Sequence, residues 1–194
     1  MIAIIDYGCG NLKSLENALE HLGLASRRIG TPGEILAADR LILPGVGNFG
    51  HAAAELAGRG LDGPLRERAA RGGPILGICL GMQLLFEGSE EAPDRAGLGL
   101  LEGRCQLFAD PALKVPHMGW STVAFEDRAL AAYFVHSYYV PGWPGGRPSQ
   151  ALGTAQYGRP FLAAFRSGAL AGFQFHPEKS GTQGLALLKE ALTW

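Results

Sequence analysis

Apolar strand-like runs alternate with helical patterns through the first half of the chain, and this alternation limits the possible folds more than any other feature. The first run covers residues 2–5, and Asn11 is placed to cap a helix that extends to about Leu22. A second strand is predicted at residues 41–43, before a Pro-Gly pair. Helical pieces are predicted over residues 52–71, with interruptions at Gly58, Gly60, Gly63 and Pro64. Such alternation is typical of right-handed βαβ units around a parallel sheet.

The pattern changes after about Glu87. Short apolar runs at residues 135–140 and 161–165 are separated by glycine and proline turns, which predicts strands that return in a mixed or antiparallel layer. An irregular loop is predicted at residues 141–148, and a last helix at residues 182–192. The sequence therefore predicts an α/β fold with an open, mixed, mainly parallel sheet, flanked by helices and extended by antiparallel strands in its second half.

Length and composition limit the number of domains and the classes of binding partner. The 194 residues, 47% of them hydrophobic, predict one domain that spans residues 1–194. The formal net charge is −1 and like charges form no run, which argues against nucleic acid or an anionic membrane as the main partner. Because no apolar run approaches the ~20 residues of a membrane span, the opening segment MIAIID is interpreted as the first strand.

Three cysteines, Cys9, Cys79 and Cys105, form an odd and sparse set without a C-x-x-C pair or clustered histidines. This pattern argues against a disulfide framework or a zinc site, and the loop DYGCGN lacks the full glycine spacing of a nucleotide-binding turn. We therefore expect no cofactor or metal, and a reducing cytoplasm as the compartment.

The segment PILGICLGMQLL at residues 74–85 sets a cysteine between two glycines where an apolar strand runs into a helix. This is the arrangement of a nucleophile elbow, in which the side chain stands clear of the sheet and the flanking glycines let strand and helix pass closely. The helix N-terminus favours a thiolate and offers free N–H groups to an oxyanion. Cys79 is therefore the candidate nucleophile, although a buried packing cysteine fits the same string.

A second segment, GFQFHPEKSG at residues 172–181, ends an alternating apolar run at His176, Pro177 and Glu178. In an extended backbone residues i and i+2 face the same way, so Glu178 is predicted to orient the imidazole of His176. A histidine base held by a third group is the general means of activating a sulfur nucleophile. Cys79, His176 and Glu178 are thus the predicted catalytic triad.

The motifs PGVG at residues 44–47, GICLGMQLL at residues 77–85 and QFHPEKSG at residues 174–181 resemble the triad-type, class I glutamine amidotransferases, which have a flavodoxin-like fold. Within that family, DYGCGNLKS at residues 6–14, VPHMGW at residues 115–120 and FVHSYYV at residues 134–140 are similar to the glutaminase subunits of imidazole glycerol phosphate synthases, which serve histidine biosynthesis. Where many members carry asparagine after the Gly-Trp pair, this chain has Ser121, a difference interpreted as a detail of the partner interface.

The resemblance implies that Cys79 attacks the side-chain amide of glutamine, that His176 moves the proton to the departing ammonia, and that Glu178 holds the imidazole. It also implies backbone oxyanion donors at Val46 and Leu80. The residues that it places around the substrate glutamine are Gly47, Gln83, His136, Ser137 and Tyr138.

The resemblance further implies a heterodimer with a separate (β/α)₈-barrel cyclase, because ammonia must reach its acceptor through a sheltered channel. The residues that it places on the docking face are Asn11, Met118, Trp120, Tyr133 and Lys179. For Trp120 and Tyr133, ordinary core packing is the alternative. Cys9 and Cys105 are expected to be inert packing residues, and His21, His51 and His117 surface or core polar groups.

Three other readings remain open at this point. An amidotransferase of another pathway has the same triad and PGVG strand, and only the subgroup motifs argue against it. A cysteine hydrolase of esters or peptides needs only the elbow and a base. A non-catalytic binding module fits poorly with an intact Cys79, His176 and Glu178.

Overall fold

Strands and helices alternate along the chain as far as α5, and strands dominate afterwards. The computed structural model describes residues 1–143 and 152–193. The elements in these residues are β1 (Ile2–Ile5), α1 (Leu12–His21), β2 (Ser26–Ile29), α2 (Pro32–Ala37), β3 (Arg40–Leu43), α3 (Phe49–Gly58), α4 (Asp62–Ala70), β4 (Ile75–Ile78), α5 (Leu80–Leu84), β5 (Phe86–Ser89), β6 (Leu101–Leu107), β7 (His117–Ala124), β8 (Ala129–His136), β9 (Tyr138–Tyr139), β10 (Leu152–Tyr157), β11 (Arg159–Ser167), β12 (Leu170–Phe173) and α6 (Gly181–Thr193). None of the described helices has the length and apolarity to cross a membrane.

One large sheet organises the molecule. Its strand order is β2-β1-β3-β4-β12-β11-β10-β7-β8, and a smaller sheet has the order β5-β6-β9. The strands from β2 to β12 are mutually parallel, whereas β11, β10, β7 and β8 are each antiparallel to their neighbours. The predicted mixed α/β fold, with antiparallel strands from the second half of the chain, is confirmed.

The pleat of the sheet divides the core into two layers. In β1, Ile2 and Ile4 belong to one layer and Ala3 and Ile5 to the other, as the alternation of side chains along a strand requires. The first layer is covered by α1 and α6, through buried leucines such as Leu19 and Leu188. The second layer is covered by α2 to α5. The sheet therefore has helices on both faces.

Helices α1, α3 and α4 follow the prediction with one correction, whereas α2 was not predicted. Asn11 caps α1, because its side chain accepts a hydrogen bond from Ser14 N at 3.4 Å. The interruption in residues 52–71 lies at residues 59–61 instead of at Gly58, Gly63 and Pro64, which belong to α3 and α4. Pro64 is tolerated in the first turn of α4, where the backbone N–H groups have no partner within the helix.

The predicted strand at residues 135–140 is two strands. β8 ends at His136, the chain crosses to the smaller sheet at Ser137, and β9 pairs there with β6. The carbonyl of Ser137 accepts a hydrogen bond from Phe108 N at 3.1 Å, which fixes the crossing. The run at residues 161–165 lies inside β11, and α6 is confirmed. Most of the loop predicted at residues 141–148 lies outside the described residues.

Three neighbouring parallel strands end at the same edge of the sheet. β3, β4 and β12 lie side by side, and each is followed at its carboxyl end by one of the motifs singled out in the sequence. The PGVG segment follows β3, Cys79 follows β4, and His176 is the third residue after β12. In α/β sheets this edge is the usual place for a binding site.

Candidate active site

Cys79 occupies the turn between β4 and α5 in a backbone conformation that L-residues rarely adopt. Its φ is 54° and its ψ is −113°, and it is the one non-glycine residue at positive φ in the described part of the chain. Sparsely populated conformations of this kind persist where the surrounding structure enforces them, and they cluster at active sites. The predicted nucleophile elbow is therefore present as a geometric feature.

Glycines make the elbow possible by allowing three backbones to approach one another. A Cβ atom on Gly77 would lie 2.6 Å from the Cα of Met82, and one on Gly45 would lie 2.7 Å from the backbone nitrogen of Gly81. A Cβ atom on Gly81 itself would overlap the carbonyl of Leu43. Any side chain at these positions would push α5 away from the ends of β3 and β4.

His176 and Glu178 form a buried pair beside the elbow. Nδ1 of His176 lies 2.9 Å from Oε1 of Glu178, and their side chains are 2% and 4% exposed. The predicted pairing is present, but the predicted extended backbone is wrong beyond His176. Residues Pro177–Lys179 form a 3₁₀ turn, and this turn, not strand alternation, brings Glu178 to the imidazole.

The remaining ring nitrogen, Nε2 of His176, is buried and makes no hydrogen bond within the described residues. Burial lowers the pKa of His176, but the side chains of Cys79 and Glu178 outweigh it and raise the pKa to about 10. A protonated imidazole is therefore favoured next to the sulfur. This is the electrostatic arrangement that stabilises a thiolate nucleophile.

A cavity of about 260 Å³ opens in front of Cys79. All the residues predicted for the glutamine pocket and the oxyanion hole contribute to its wall, together with Cys79 and His176. The complete lining is Val46, Gly47, Cys79, Leu80, Gln83, Glu91, Pro116, Val135, His136, Ser137, Tyr138 and His176. Segments distant in sequence thus converge on one space next to the nucleophile.

Two amide side chains connect the cavity wall to the nucleophile. Nε2 of Gln83 donates hydrogen bonds to the carbonyl of Tyr138 at 2.8 Å and to Oε1 of Gln174 at 3.0 Å. Nε2 of Gln174 in turn lies 3.9 Å from Sγ of Cys79. Gln174 was part of a recognised motif but had no predicted role, and the structure places it against the sulfur.

Glu91 lines the cavity but belongs to none of the motifs recognised in the sequence. It lies just after β5, and its Oε2 accepts a hydrogen bond from the backbone nitrogen of Phe49 at 2.7 Å, at the first residue of α3. Its only sequence signal is a pair of adjacent acids at residues 90–91, which is common on surfaces. Its place at the cavity depends on tertiary packing that no local pattern reveals.

The residues predicted for a docking face lie on the surface near the elbow. Met118 and Trp120 are 63% and 58% exposed, and the core-packing alternative for Trp120 is wrong. The ring centroids of Trp120 and Tyr133 lie 6.1 Å apart, and Nζ of Lys179 lies 5.9 Å from the centroid of Tyr133. We call these four side chains the aromatic patch. Asn11 is also exposed, and it borders a small cavity beside His176 and Glu178.

The other cysteines and histidines separate into core and surface groups. Cys9 and Cys105 are buried and unpaired, and burial raises the pKa of both thiols, that of Cys105 to about 12. His21 and His51 are exposed, whereas His117 is buried. No group of three or more potential metal ligands occurs in residues 1–143 and 152–193.

Comparisons with known proteins agree with this geometry. The family model for "Glutamine amidotransferase class-I" matches residues 3–193. A protein of Moorella thermoacetica is 49% identical over 97% of this chain and 92% of its own length, and one of Streptococcus gordonii is 46% identical over 98% and 94%. Both are named "Imidazole glycerol phosphate synthase subunit HisH". A crystal structure of a glutamine amidotransferase, 20% identical, has a TM-score of 0.80 over 99% of this chain and 97% of that one.

Proposed function

This chain belongs to the class I glutamine amidotransferase family, and from that premise we propose that it is the glutaminase subunit of an imidazole glycerol phosphate synthase. The observation that carries the chemistry is the convergence of Cys79, His176 and Glu178 at one end of a cavity. In this proposal residues 1–194 form one glutaminase domain. The match of the family model to residues 3–193 supports that assignment.

The reaction begins when the Cys79 thiolate attacks the side-chain carbonyl carbon of glutamine. The protonated His176 then donates its proton to the departing ammonia, and a thioester remains on Cys79. A water molecule, deprotonated by the now neutral His176, cleaves the thioester to glutamate, and the Cys79 thiolate and protonated His176 are regenerated. Glu178 keeps the imidazole in place through both steps, because its carboxylate accepts a hydrogen bond from Nδ1–H, with the two atoms 2.9 Å apart.

The tetrahedral intermediates carry a negative oxygen that needs donors. Leu80 is the first residue of α5, so its backbone N–H has no partner within the helix, and we assign it and the N–H of Val46 to the oxyanion. Val46 lies between Gly45 and Gly47, and Gly47 has a φ of 99°.

The cavity wall has complementary groups for the rest of glutamine. Gly47, Gln83, His136, Ser137 and Tyr138 line it as predicted, and Glu91 adds a carboxylate. We assign the carboxylate of Glu91 to the α-ammonium group of glutamine, since a charge-assisted hydrogen bond is the strongest available contact for that group.

A separate cyclase subunit with a (β/α)₈ barrel is the proposed consumer of the ammonia. The aromatic patch supports a docking face, because Trp, Tyr and Met side chains are enriched in protein interfaces. Lys179 directly follows Glu178 in the chain, which supports a docking face beside the point where ammonia forms. The reaction needs a reduced thiol at Cys79, and we therefore assign the protein to the reducing cytoplasm.

The first test is release of ammonia from glutamine by the wild type, by Cys79→Ala and by Cys105→Ala, each alone and with the barrel cyclase loaded with its ribonucleotide substrate. We expect activity to require Cys79, to persist in the Cys105→Ala control and to rise with the loaded cyclase. Activity that requires Cys79 but ignores the cyclase would assign the chain to an amidotransferase of another pathway. Activity that persists in Cys79→Ala would refute the triad.

Two exposed lysines provide a matched test of the docking face. Lys179→Ala is expected to weaken the complex with the cyclase, while Lys189→Ala on α6, outside the proposed face, leaves the affinity unchanged. In the uncomplexed protein, Cys79 should react with a thiol reagent at the same rate in both variants. Equal affinity of the two variants for the cyclase would remove Lys179 from the interface.

A further inference from the structure

A chain of buried and half-buried hydrogen bonds runs from the inner side of β7 to the cavity wall. Oγ of Ser121 lies 2.8 Å from Nε2 of His117, and Nδ1 of His117 lies 3.1 Å from Nε2 of His136. Nδ1 of His136 lies 2.8 Å from the carbonyl oxygen of Tyr138. His136 and Tyr138 line the cavity, whereas Ser121 and His117 do not. The last two residues are therefore outside the substrate site but connected to it.

The chemistry of the final acceptor fixes the direction of every bond. A carbonyl only accepts, so Nδ1 of His136 carries a proton, and in the neutral ring its Nε2 must accept. That acceptor requires a proton on Nδ1 of His117, which makes Nε2 of His117 an acceptor as well. The hydroxyl of Ser121 is then the donor to Nε2 of His117. One arrangement of protons satisfies all three contacts.

Burial supports neutral rings in this chain. His117 and His136 are 2% and 7% exposed. Burial lowers the pKa of His117 to about 4 and that of His136 to about 3. Both imidazoles are consequently uncharged at neutral pH, the state that the directed chain requires.

The sheet builds this chain from two paired strands. His117 and His136 are direct partners in the register of β7 and β8, and the ring of His117 stacks on Phe134 and Tyr157 with centroid distances of 4.8 and 4.1 Å. His117 and Ser121 are four residues apart in β7, so strand alternation puts both side chains on the same face of the sheet. Within β7, His117 and Ser121 are less exposed than Met118 and Trp120, which belong to the aromatic patch.

The role of Ser121 at the partner interface stays a prediction. In the structure its hydroxyl is bonded to the buried ring of His117, behind the aromatic patch. A serine hydroxyl and an asparagine amide both donate hydrogen bonds, so either residue meets the demand of Nε2 of His117.

We propose that Ser121 and His117 are positioning residues that hold His136 as the Nδ1–H tautomer and thereby fix the cavity wall at residues 136–138. In that tautomer His136 donates to the carbonyl of Tyr138, the same oxygen that accepts from Gln83. Two donors on one carbonyl restrain the crossing from β8 to β9, which carries Ser137 and Tyr138. The effect of Ser121 and His117 on glutamine binding rests on the proposed function. The tautomer of His136 is independent of that function.

The kinetic test compares three substitutions. Ser121→Ala removes the donor and is expected to raise KM for glutamine about three- to tenfold with little change in kcat, since it loosens a binding wall and leaves the triad intact. Ser121→Asn retains a donor and should restore KM to near the wild-type value. Thr122→Ala, the exposed neighbour on β7, should leave both constants unchanged. Equal KM values for Ser121→Ala and wild type would overturn the kinetic part of the proposal.

The tautomers are measured directly by ¹⁵N NMR of protein labelled at histidine, without any substrate. We expect the resonances of His117 and His136 to show protonated Nδ1 and unprotonated Nε2 in the wild type and in Ser121→Asn, and mixed tautomers of His117 in Ser121→Ala. A protonated Nε2 on His136 in the wild type would overturn the proposal. Because this readout needs no glutamine, a failure of the proposed function leaves it interpretable: the expected tautomers without glutaminase activity would refute only the proposed function.

Discussion

Nδ1 of His176 lies 2.9 Å from Oε1 of Glu178, and both side chains are almost completely buried. Such a carboxylate selects the Nδ1–H tautomer and leaves Nε2 directed away from it, toward the elbow. Together with Cys79 it stabilises the protonated imidazole, and these two side chains raise the pKa of His176 despite the opposing effect of burial. The pair therefore sets both the direction and the charge of the proton donor.

Glu178→Gln tests the effect of Glu178 on the orientation and charge of His176 while the nucleophile Cys79 stays unchanged. We expect kcat to fall roughly 10²-fold or more, because an amide neither fixes the tautomer nor stabilises the imidazolium. The pKa of His176 should fall toward its ordinary value, so that the alkaline limb of the profile of kcat/KM against pH moves to lower pH. Glu20→Gln on exposed α1 is the control. An alkaline limb at the wild-type position in Glu178→Gln would contradict this account of the pair.

Glu91→Gln is expected to act on binding alone. The amide oxygen still accepts from the backbone nitrogen of Phe49, so the start of α3 is retained, but the negative charge for the α-ammonium group is lost. We expect KM for glutamine to rise about 10- to 100-fold with kcat nearly unchanged, as steady-state kinetics will measure. Glu90→Gln, the neighbouring acid, is the matched control. A fall in kcat at constant KM would contradict the assignment.

The parts of the site that the sequence predicted correctly are those determined by local chemistry. A cysteine between glycines at a strand-to-helix junction has few structural alternatives, and the close backbone contacts at Gly77 and Gly81 explain why. The parallel arrangement of β1 and β4 also followed from local alternation, since both strands are buried on both faces. The fold around Cys79 was therefore predictable from the residues themselves.

The parts that sequence reasoning missed depend on long-range packing. Glu91 reaches the cavity only because β5 and β6 form a second sheet beside the first. The division of residues 135–140 at Ser137 depends on a partner strand, β6, which no period of hydrophobicity identifies. The bond from Ser121 to His117 joins two positions on one face of β7, and its continuation to His136 depends on the pairing of β7 with β8. Each is a property of the assembled sheets and not of any one segment.

The buried histidines predict how stability depends on pH. The pKa values of His117 and His136 in the folded protein lie below the ordinary value of 6.5, so the unfolded chain binds more protons between about pH 4 and 6.5. Stability therefore decreases as the pH falls through this window. Each histidine contributes a slope of up to roughly 1.4 kcal/mol per pH unit to the free energy of unfolding.

Denaturant unfolding of His117→Phe at several pH values measures this contribution. Phenylalanine keeps an aromatic ring between Phe134 and Tyr157 and cannot take up a proton. We expect a shallower loss of stability between pH 6.5 and 4 than in the wild type, whatever the absolute stability of the variant. His51→Phe, at an exposed position, should retain the wild-type slope. Equal slopes in wild type and His117→Phe would mean that His117 titrates normally in the folded state.

The strained backbone of Cys79 is expected to lower the stability of the protein while it holds the nucleophile in place for activity. At a φ of 54° and a ψ of −113°, a residue with a Cβ atom is strained by about 1–3 kcal/mol, and glycine is not. Cys79→Ala and Cys79→Gly both remove the sulfur and should both abolish release of ammonia from glutamine. They differ in that only glycine relieves the strain.

We therefore expect Cys79→Gly to exceed Cys79→Ala in free energy of unfolding by roughly 1–2 kcal/mol, after the greater chain entropy of glycine in the unfolded state is allowed for. Gly58→Ala is the opposite control. It lies in helix α3 with nothing near its added Cβ, and there alanine should be more stable than glycine by about 0.5–1 kcal/mol. If alanine is also the more stable residue at position 79, the elbow stores no strain, and the side chain is held clear of the sheet by the close packing at Gly77 and Gly81 alone.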